Sequence, residues 1–319
     1  MDWDAYMASL RLRVRAAMEA SLTENEGLLG EIGLYNFQGG GKLLRPLVFL
    51  LALKSLGHEI TEERVKESVI FELVHVASLL HDDIVDLSDT RRGRKAAHLA
   101  FGVPETVLSG DFLAGTAGRL AVGSGSLAFV GCLQEALLEL AQGELQELKA
   151  RWETDLDEPG YFDIVRRKTA SLFVAAALGA GILVKAPGSS LSSLEGLAVN
   201  YGLVFQIMDD ILDYSADPDK LGKPVLQDIT EGRVTLPYIL ARKNLSPKDA
   251  FNMDSLAIKE GKTQDDLDEL LAYVAKGNGV ALAREEVKRI QALAFLALKG
   301  LPNGEPLSIL VKGALDRTS

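Results

Sequence analysis

"VASLLHDDIVD", residues 76–86, sets an apolar run directly against three carboxylates, Asp82, Asp83 and Asp86. The run reads as the end of a buried helix, where gathered negative charge is costly. Residues three and four apart share a helix face, so Asp82 and Asp86 point the same way with Asp83 beside Asp86. Like charges so placed repel by roughly a few tenths of a kcal/mol per pair. A second copy, "MDDILD" (208–213), follows another apolar run and repeats the pattern with Asp209, Asp210 and Asp213. With Asp at about 6% of residues, DDxxD is expected ~0.07 times in a chain this long, and twice on the order of 0.002 times. One triplet alone reads equally well as a solvated helix tip. Two, each behind an apolar run, point to a bound cation. Oxygen-only ligands favour Mg²⁺ over zinc or copper. Magnesium takes one or two carboxylates and leaves positions for water or phosphate oxygens, so two facing triplets would clamp a diphosphate.

Outward from these motifs the pattern stays helical. The chain has 10 prolines, and none interrupts a long apolar-periodic segment. Alternating strand-like segments are scarce. The periodicity predicts helices over about 4–22, 43–57, 61–88, 104–123, 126–150, 160–185, 190–215, 229–243, 265–276, 279–299 and 305–316. Short breaker-rich connections ("QGGGK", "GHEI", "SGS", "DEPG", "APGSS") join them, and no long linker divides the chain. A single all-α domain over 1–319 is therefore expected, with 244–264 ("NLSPKDAFNMDSLAIKEGKTQ") as an irregular surface excursion.

The 319 residues carry a net charge of -11, with 47% hydrophobic and 25% charged side chains. This is a globular composition, and its acidity argues against nucleic-acid or anionic-membrane binding. Cys132 stands alone, so neither an intrachain disulfide nor a cysteine metal site is expected. The opening "MDWDAYMASLRLRVRAAMEASL" does not read as a secretory signal; Tyr6, Leu10, Leu12, Val14, Met18 and Leu22 suggest an amphipathic helix instead. The longest apolar run, "SLFVAAALGAGILV" (171–184), falls short of the roughly 20 residues that span a bilayer. No transmembrane segment and a cytoplasmic location are expected.

A diphosphate also needs cationic partners. "GGGKLLRP" (39–46) places Lys42 and Arg45 one turn apart at a helix N-terminus, where backbone N–H groups and the dipole favour anions. It lacks P-loop spacing, and by itself reads as a helix-start turn. His75 lies two turns before Asp82 on the same face. "SDTRRGR" supplies Arg91 and Arg92 just after the first triplet. "RRKTASL" (166–172) supplies Lys168 and Thr169, and "LGKPVLQDITEGRVTLP" (221–237) supplies Lys223 and Arg233.

With these residues in place, the chain resembles a trans-prenyltransferase, an (E)-isoprenyl diphosphate synthase of the polyprenyl synthetase family. The resemblance runs from "GGGKLLRP" to "EGRVTLP"; "LVHVASLLHDDIVDLSDTRRG" and "VFQIMDDILDYSADPDKLGKP" are its most specific parts, and "LPNGEPLSILVKGALDR" fits more loosely. It implies a single large helical bundle around a central cavity, working as a homodimer. Lys42, Arg45, His75 and Arg92 would hold isopentenyl diphosphate. Arg91, Lys168, Lys223 and Arg233 would hold an allylic diphosphate (dimethylallyl, geranyl or farnesyl). Asp82, Asp86 and Asp209 would ligate Mg²⁺, supported by Asp83, Asp210 and Asp213. Thr169 and Gln206 would face the allylic cation. Departing diphosphate would be stabilised electrostatically, isopentenyl diphosphate would attack through its double bond, and the leaving group would take the proton. Leu43 stands where many relatives carry a basic residue, and Arg233 where many carry Lys. Those departures bear on affinity, since Arg and Lys do not bind phosphate interchangeably.

The helix before the first triplet is also expected to line a product tunnel. Ala77 and Ser78 are small where short-product relatives carry an aromatic, so the expected product has at least twenty carbons, with thirty to forty within reach. Phe71, or residues near Leu133 and Leu137, would form the floor. Two alternatives stand beside this reading. A terpene cyclase would lack "GGGKLLRP" and the second DDxxD, and a non-catalytic subunit of a two-component synthase would lose an Asp motif.

Overall fold

Helices follow one another from Trp3 to Gly313 in the computed structural model, which describes residues 2–23, 27–215 and 226–314. The fold is all-α. Among the described residues the one sheet is a two-stranded hairpin, Thr90–Arg91 (β1) with Arg94–Lys95 (β2). No described helix is long and apolar enough to cross a membrane. The chain falls into two compact units.

The first unit comprises Met1–Leu137, Leu172–Glu195 and Leu298–Ile309. At its heart is α4 (Glu62–Val85), packed against α1 (Trp3–Thr23), α3 (Leu44–Ser55) and α6 (Val103–Gly123). Thr61 caps α4 by accepting the Arg64 N–H, and Glu62 and Glu63 complement the positive end of the dipole. From Val65 to Leu80 most α4 side chains are buried, which is what an apolar helix with several packed neighbours requires. Helix α3 is buried at every position from Pro46 to Leu53. Between them Phe49, Phe71 and Phe129 form a cluster with ring centroids 5.5, 6.5 and 6.1 Å apart. Each fully buried ring contributes on the order of 2 kcal/mol.

The second unit comprises Leu138–Ser171, Gly196–Ala297 and Leu310–Ser319. Its α8 (Glu158–Val165) is capped by Asp157, which accepts the Gly160 N–H, and has a proline in its first turn. The chain then widens into one π-helical segment, Arg166–Ala170, before α9 (Ser171–Leu183). Glycines let that segment approach its neighbours. A Cβ at Gly143 of α7 (Leu127–Ala150) would lie 2.6 Å from the Lys168 backbone nitrogen. One at Gly202 of α10 (Gly188–Ser215) would lie 2.6 Å from the Ala170 Cα.

Several local expectations change. The periodicity overlooks α2 (Leu28–Gln38), whose Gly30 and Gly33 each cost about 1 kcal/mol of helix propensity. Packing compensates, because Gly33 lets Leu22 and Leu113 close to 3.2 and 3.1 Å of where a Cβ would stand. The predicted helix 160–185 is broken by the π segment. The supposed excursion 244–264 contains a helix, Pro247–Ala257, started by Ser246 accepting the Asp249 N–H and by proline at the first helical position. In α1, Leu12 is exposed, and Met7 joins Leu10, Val14, Met18 and Leu22 on the buried face.

Candidate functional site

In the first unit, the last turns of α4 sort the Asp triplet by burial. Asp83 is fully buried, whereas Asp82 and Asp86 are half-buried. Arg91 grips Asp83 Oδ1, its Nε at 2.8 Å and its Nη2 closer still. Arg91 is held there by the hairpin. Arg92 and Gly93 both have positive φ (53° and 73°), the type I′ geometry that matches strand twist. Arg94 stacks 3.9 Å from the Tyr35 ring, and Tyr35 donates to the Lys95 carbonyl at 2.8 Å. His81, although it opens the motif, turns away toward α6 and lies 3.1 Å from the Val107 carbonyl.

About two and three turns back along α4, His75 and Glu72 lie within the field of the basic residues. Burial holds His75 well below the usual imidazole range, and the Arg45, Arg92 and Arg91 charges push the same way. His75 is thus a neutral hydrogen-bonding group at neutral pH. Burial raises the Glu72 carboxyl, while Arg45, Arg92 and Arg15 act to keep it ionised. The Arg45 guanidinium lies 4.7 Å over the Phe173 ring. Lys42 is exposed beside Leu43, which takes a left-handed φ of 53° at the start of α3. Its carbonyl accepts from Arg11 at 3.3 Å.

In the second unit, the end of α10 repeats the sorting. Asp210 is buried and Asp209 half-buried. Asp210 takes the Tyr161 hydroxyl at 2.5 Å on Oδ2 and the Gln206 amide at 2.9 Å on Oδ1. Gln206 in turn accepts from Thr169 Oγ1 at 2.9 Å. Asp213 accepts the backbone N–H groups of Gln227 and Asp228 at 3.0 and 3.1 Å, capping the short helix Gln227–Thr230. Burial, followed by the Asp228 charge, raises Asp213 to about 7. Arg233 pairs with Asp228 at 3.1 Å and with Glu231. Lys168 reaches Glu144 at 2.8 Å and Glu147 at 2.6 Å. The π segment sets the adjacent Lys168 and Thr169 on α7 and Gln206 respectively. Lys223 lies outside the described residues.

The structure therefore gathers Arg45, His75 and Arg92 around Glu72, Arg91 on Asp83, and Thr169 with Gln206 on Asp210. Sequence reasoning misses Glu72, Tyr161, Glu144, Glu147 and Asp228. Glu72 had a signal, the one carboxylate in the apolar run Val69–Leu80 of α4 and one turn from His75. Tyr161 had none, since a tyrosine in an amphipathic helix is ordinary. Among the described residues, no group of three or more His, Cys, Asp or Glu side chains is placed to hold a metal ion by itself. The half-buried carboxylates instead suit a hard cation that completes its shell with water and phosphate oxygens.

A family model described as polyprenyl synthetase matches residues 26–274. The octaprenyl diphosphate synthase of Escherichia coli (strain K12) is 35% identical over 290 residues, covering 91% of this chain and 89% of its own. The all-trans-nonaprenyl-diphosphate synthase (geranyl-diphosphate specific) of Rhodobacter capsulatus is 34% identical over 311 residues, covering 95% and 94%. Among solved structures, a polyprenyl synthase from Caulobacter crescentus CB15 complexed with calcium and isoprenyl diphosphate matches with a TM-score of 0.91 at 28% identity. It covers 99% of this chain and 97% of that one.

Proposed function

Since the chain belongs to the polyprenyl synthetase family, we propose that the two aspartate clusters and the basic residues around them carry its chemistry. The protein is a transferase that condenses isopentenyl diphosphate with an allylic diphosphate into a longer all-trans polyprenyl diphosphate of at least twenty carbons. The observation that carries the site assignment is the sorting by burial. In both triplets the middle residue, Asp83 or Asp210, is buried and tied to protein donors, while Asp82, Asp86 and Asp209 stay half-buried, as does Asp213, which caps the Gln227–Thr230 helix. We assign Asp82, Asp86 and Asp209 to Mg²⁺.

Bound Mg²⁺ would supply Lewis-acid stabilisation of the leaving diphosphate. Arg91, Lys168, Lys223 and Arg233 hold the allylic diphosphate. Lys42, Arg45, His75 and Arg92 hold that of isopentenyl diphosphate, with His75 donating as a neutral imidazole. Thr169 and Gln206 offer oxygen dipoles to the allylic cation. Asp83 keeps Arg91 in place, and Glu144 and Glu147 orient Lys168 until substrate competes for it. The family match runs through both compact units, which supports one polyprenyl synthetase domain. A homodimer is the proposed working form, supported by exposed Val107, Leu108 and Val122 on α6, and the cytoplasm the proposed location.

For chain length, α4 is the proposed tunnel wall. Ala77, which is buried, and Ser78, which donates to the His75 carbonyl at 2.9 Å, are small side chains about two turns from Phe71 of the Phe49–Phe71–Phe129 cluster. That cluster is the proposed floor. The deciding experiment supplies Mg²⁺, isopentenyl diphosphate and dimethylallyl, geranyl or farnesyl diphosphate, and identifies products by mass. Elongated linear diphosphates are expected. A cyclic hydrocarbon would establish a cyclase, and no turnover a non-catalytic subunit.

A further inference from the structure

Resting on the assignment of Thr169, Gln206 and the second aspartate cluster to the site, we propose that Tyr161 is a positioning residue for elongation. Its hydroxyl, through Asp210 and Gln206, sets which way the Thr169 hydroxyl points. Tyr161 stands outside every motif read from the sequence, yet its Oη lies 2.5 Å from Asp210 Oδ2. Both groups are inside the second unit, with Tyr161 4% and Asp210 2% exposed.

Gln206 presents its NH₂ to Asp210 Oδ1 at 2.9 Å, and that carboxyl oxygen accepts. The amide oxygen then faces Thr169 Oγ1 at 2.9 Å. That oxygen also only accepts, so Thr169 spends its single hydrogen on Gln206. What Thr169 has left to present is its oxygen lone pairs, the polarity that a cation requires. The three bonds form one directed relay, and Tyr161 is its far anchor. Without the phenol, Asp210 Oδ2 is buried with no donor from Tyr161, and the carboxylate gains by turning. Once it turns, the Gln206 amide can reverse, donate to Thr169 and turn the hydroxyl hydrogen outward. Local structure fixes the anchor. Asp157 and Pro159 start α8, and the Tyr161 ring meets Phe162 edge-on at 5.5 Å.

The test is a double-mutant cycle with Tyr161→Phe, which keeps the ring, and Thr169→Val, which keeps the shape. Steady-state elongation is measured with isopentenyl and farnesyl diphosphates. Tyr161→Phe is expected to lower kcat by about 10- to 30-fold, the scale of one hydrogen bond to a charged group. KM for isopentenyl diphosphate should stay within about 3-fold. In the Thr169→Val background, the same change should lower kcat by no more than about 2-fold, because the relay has already lost its reading end. A purely structural role would instead cost the same factor in both backgrounds, and such multiplying losses would overturn the proposal. So would a Tyr161→Phe enzyme with wild-type kcat. Asp209→Ala is run alongside. Wild-type turnover in Asp209→Ala or Thr169→Val would remove the site assignment itself. Their loss beside an unaffected Tyr161→Phe would remove only the role given to Tyr161.

Discussion

Gly202→Ala sets helix propensity against packing. In an exposed helix the change stabilises by about 1 kcal/mol, because alanine loses less backbone freedom on folding. Here a Cβ would sit 2.6 Å from both the Cα and Cβ of Ala170, and 3.3 Å from its nitrogen. Ordinary carbon contacts begin near 3.5 Å, so α10 and the π segment must part by roughly 1 Å. Overpacking of this kind costs about 1–3 kcal/mol, which offsets or exceeds the propensity gain. The displaced backbone also carries Lys168 and Thr169, and a 1 Å misplacement of a reacting group costs on the order of 100-fold. The expected variant therefore melts at or slightly below the wild-type temperature and elongates about 10- to 100-fold more slowly. Gly196→Ala, on the same helix, is the control. Its Cβ would meet only the Ala297 methyl at 3.9 Å, so it should gain stability and keep full turnover. Thermal melts by circular dichroism and steady-state kcat decide. A Gly202→Ala enzyme that is both more stable and fully active would refute the packing account of the π segment.

Ser78→Phe should shorten the product, read by mass spectrometry of the hydrolysed diphosphates; an unchanged distribution would remove α4 as the tunnel wall. Removing Mg²⁺ with chelator should abolish elongation and restoring it should recover the activity, while Asp82→Ala should cost at least about 1,000-fold in kcat at saturating metal. His75 carries a pH signature. Its imidazole is depressed in the folded state, so the unfolded chain binds the extra proton first, and stability is lost as pH falls below the ordinary imidazole value near 6.5. His75→Gln removes that loss, so denaturant midpoints between pH 7 and pH 5 should fall less than in the wild type.

Much of the fold was legible because it rests on period and punctuation. The apolar runs of α3, α4 and α10 announce buried helices, and the breakers between them locate most ends. Where the reading failed, packing outweighed local propensity. Helix α2 carries two glycines that only Leu22 and Leu113 explain, and 247–257 starts from a Ser-Pro cap inside a polar stretch. The break at 166–170 has no sequence signature, since "RRKTASL" is good helix in isolation. The two glycines that accommodate it, Gly143 and Gly202, lie far away in the chain.

The site divides along the same line. Two DDxxD motifs and the basic residues that follow them pointed to a cation and a diphosphate, because like charges at helical spacing call for a cation and a diphosphate calls for guanidinium and ammonium groups. The reaction itself came from the resemblance to the polyprenyl synthetase family. Residue type and spacing alone leave open which carboxylate does what, since the three Asp residues of a triplet are identical as residues; only the family resemblance assigned Asp82, Asp86 and Asp209 to the metal. Tertiary structure sets the middle residue of each triplet apart by its burial and by the donor that reaches it. Arg91 arrives on a hairpin to engage Asp83, and Tyr161 comes from a preceding helix to engage Asp210, while Asp82, Asp86 and Asp209 stay half-buried. The pattern that recruits a cation is written in adjacent residues. Gln206 reaches Asp210 from the same helix, but Arg91 and Tyr161 reach the middle carboxylates from other segments of the chain, and only the folded backbone brings those two within hydrogen-bonding distance.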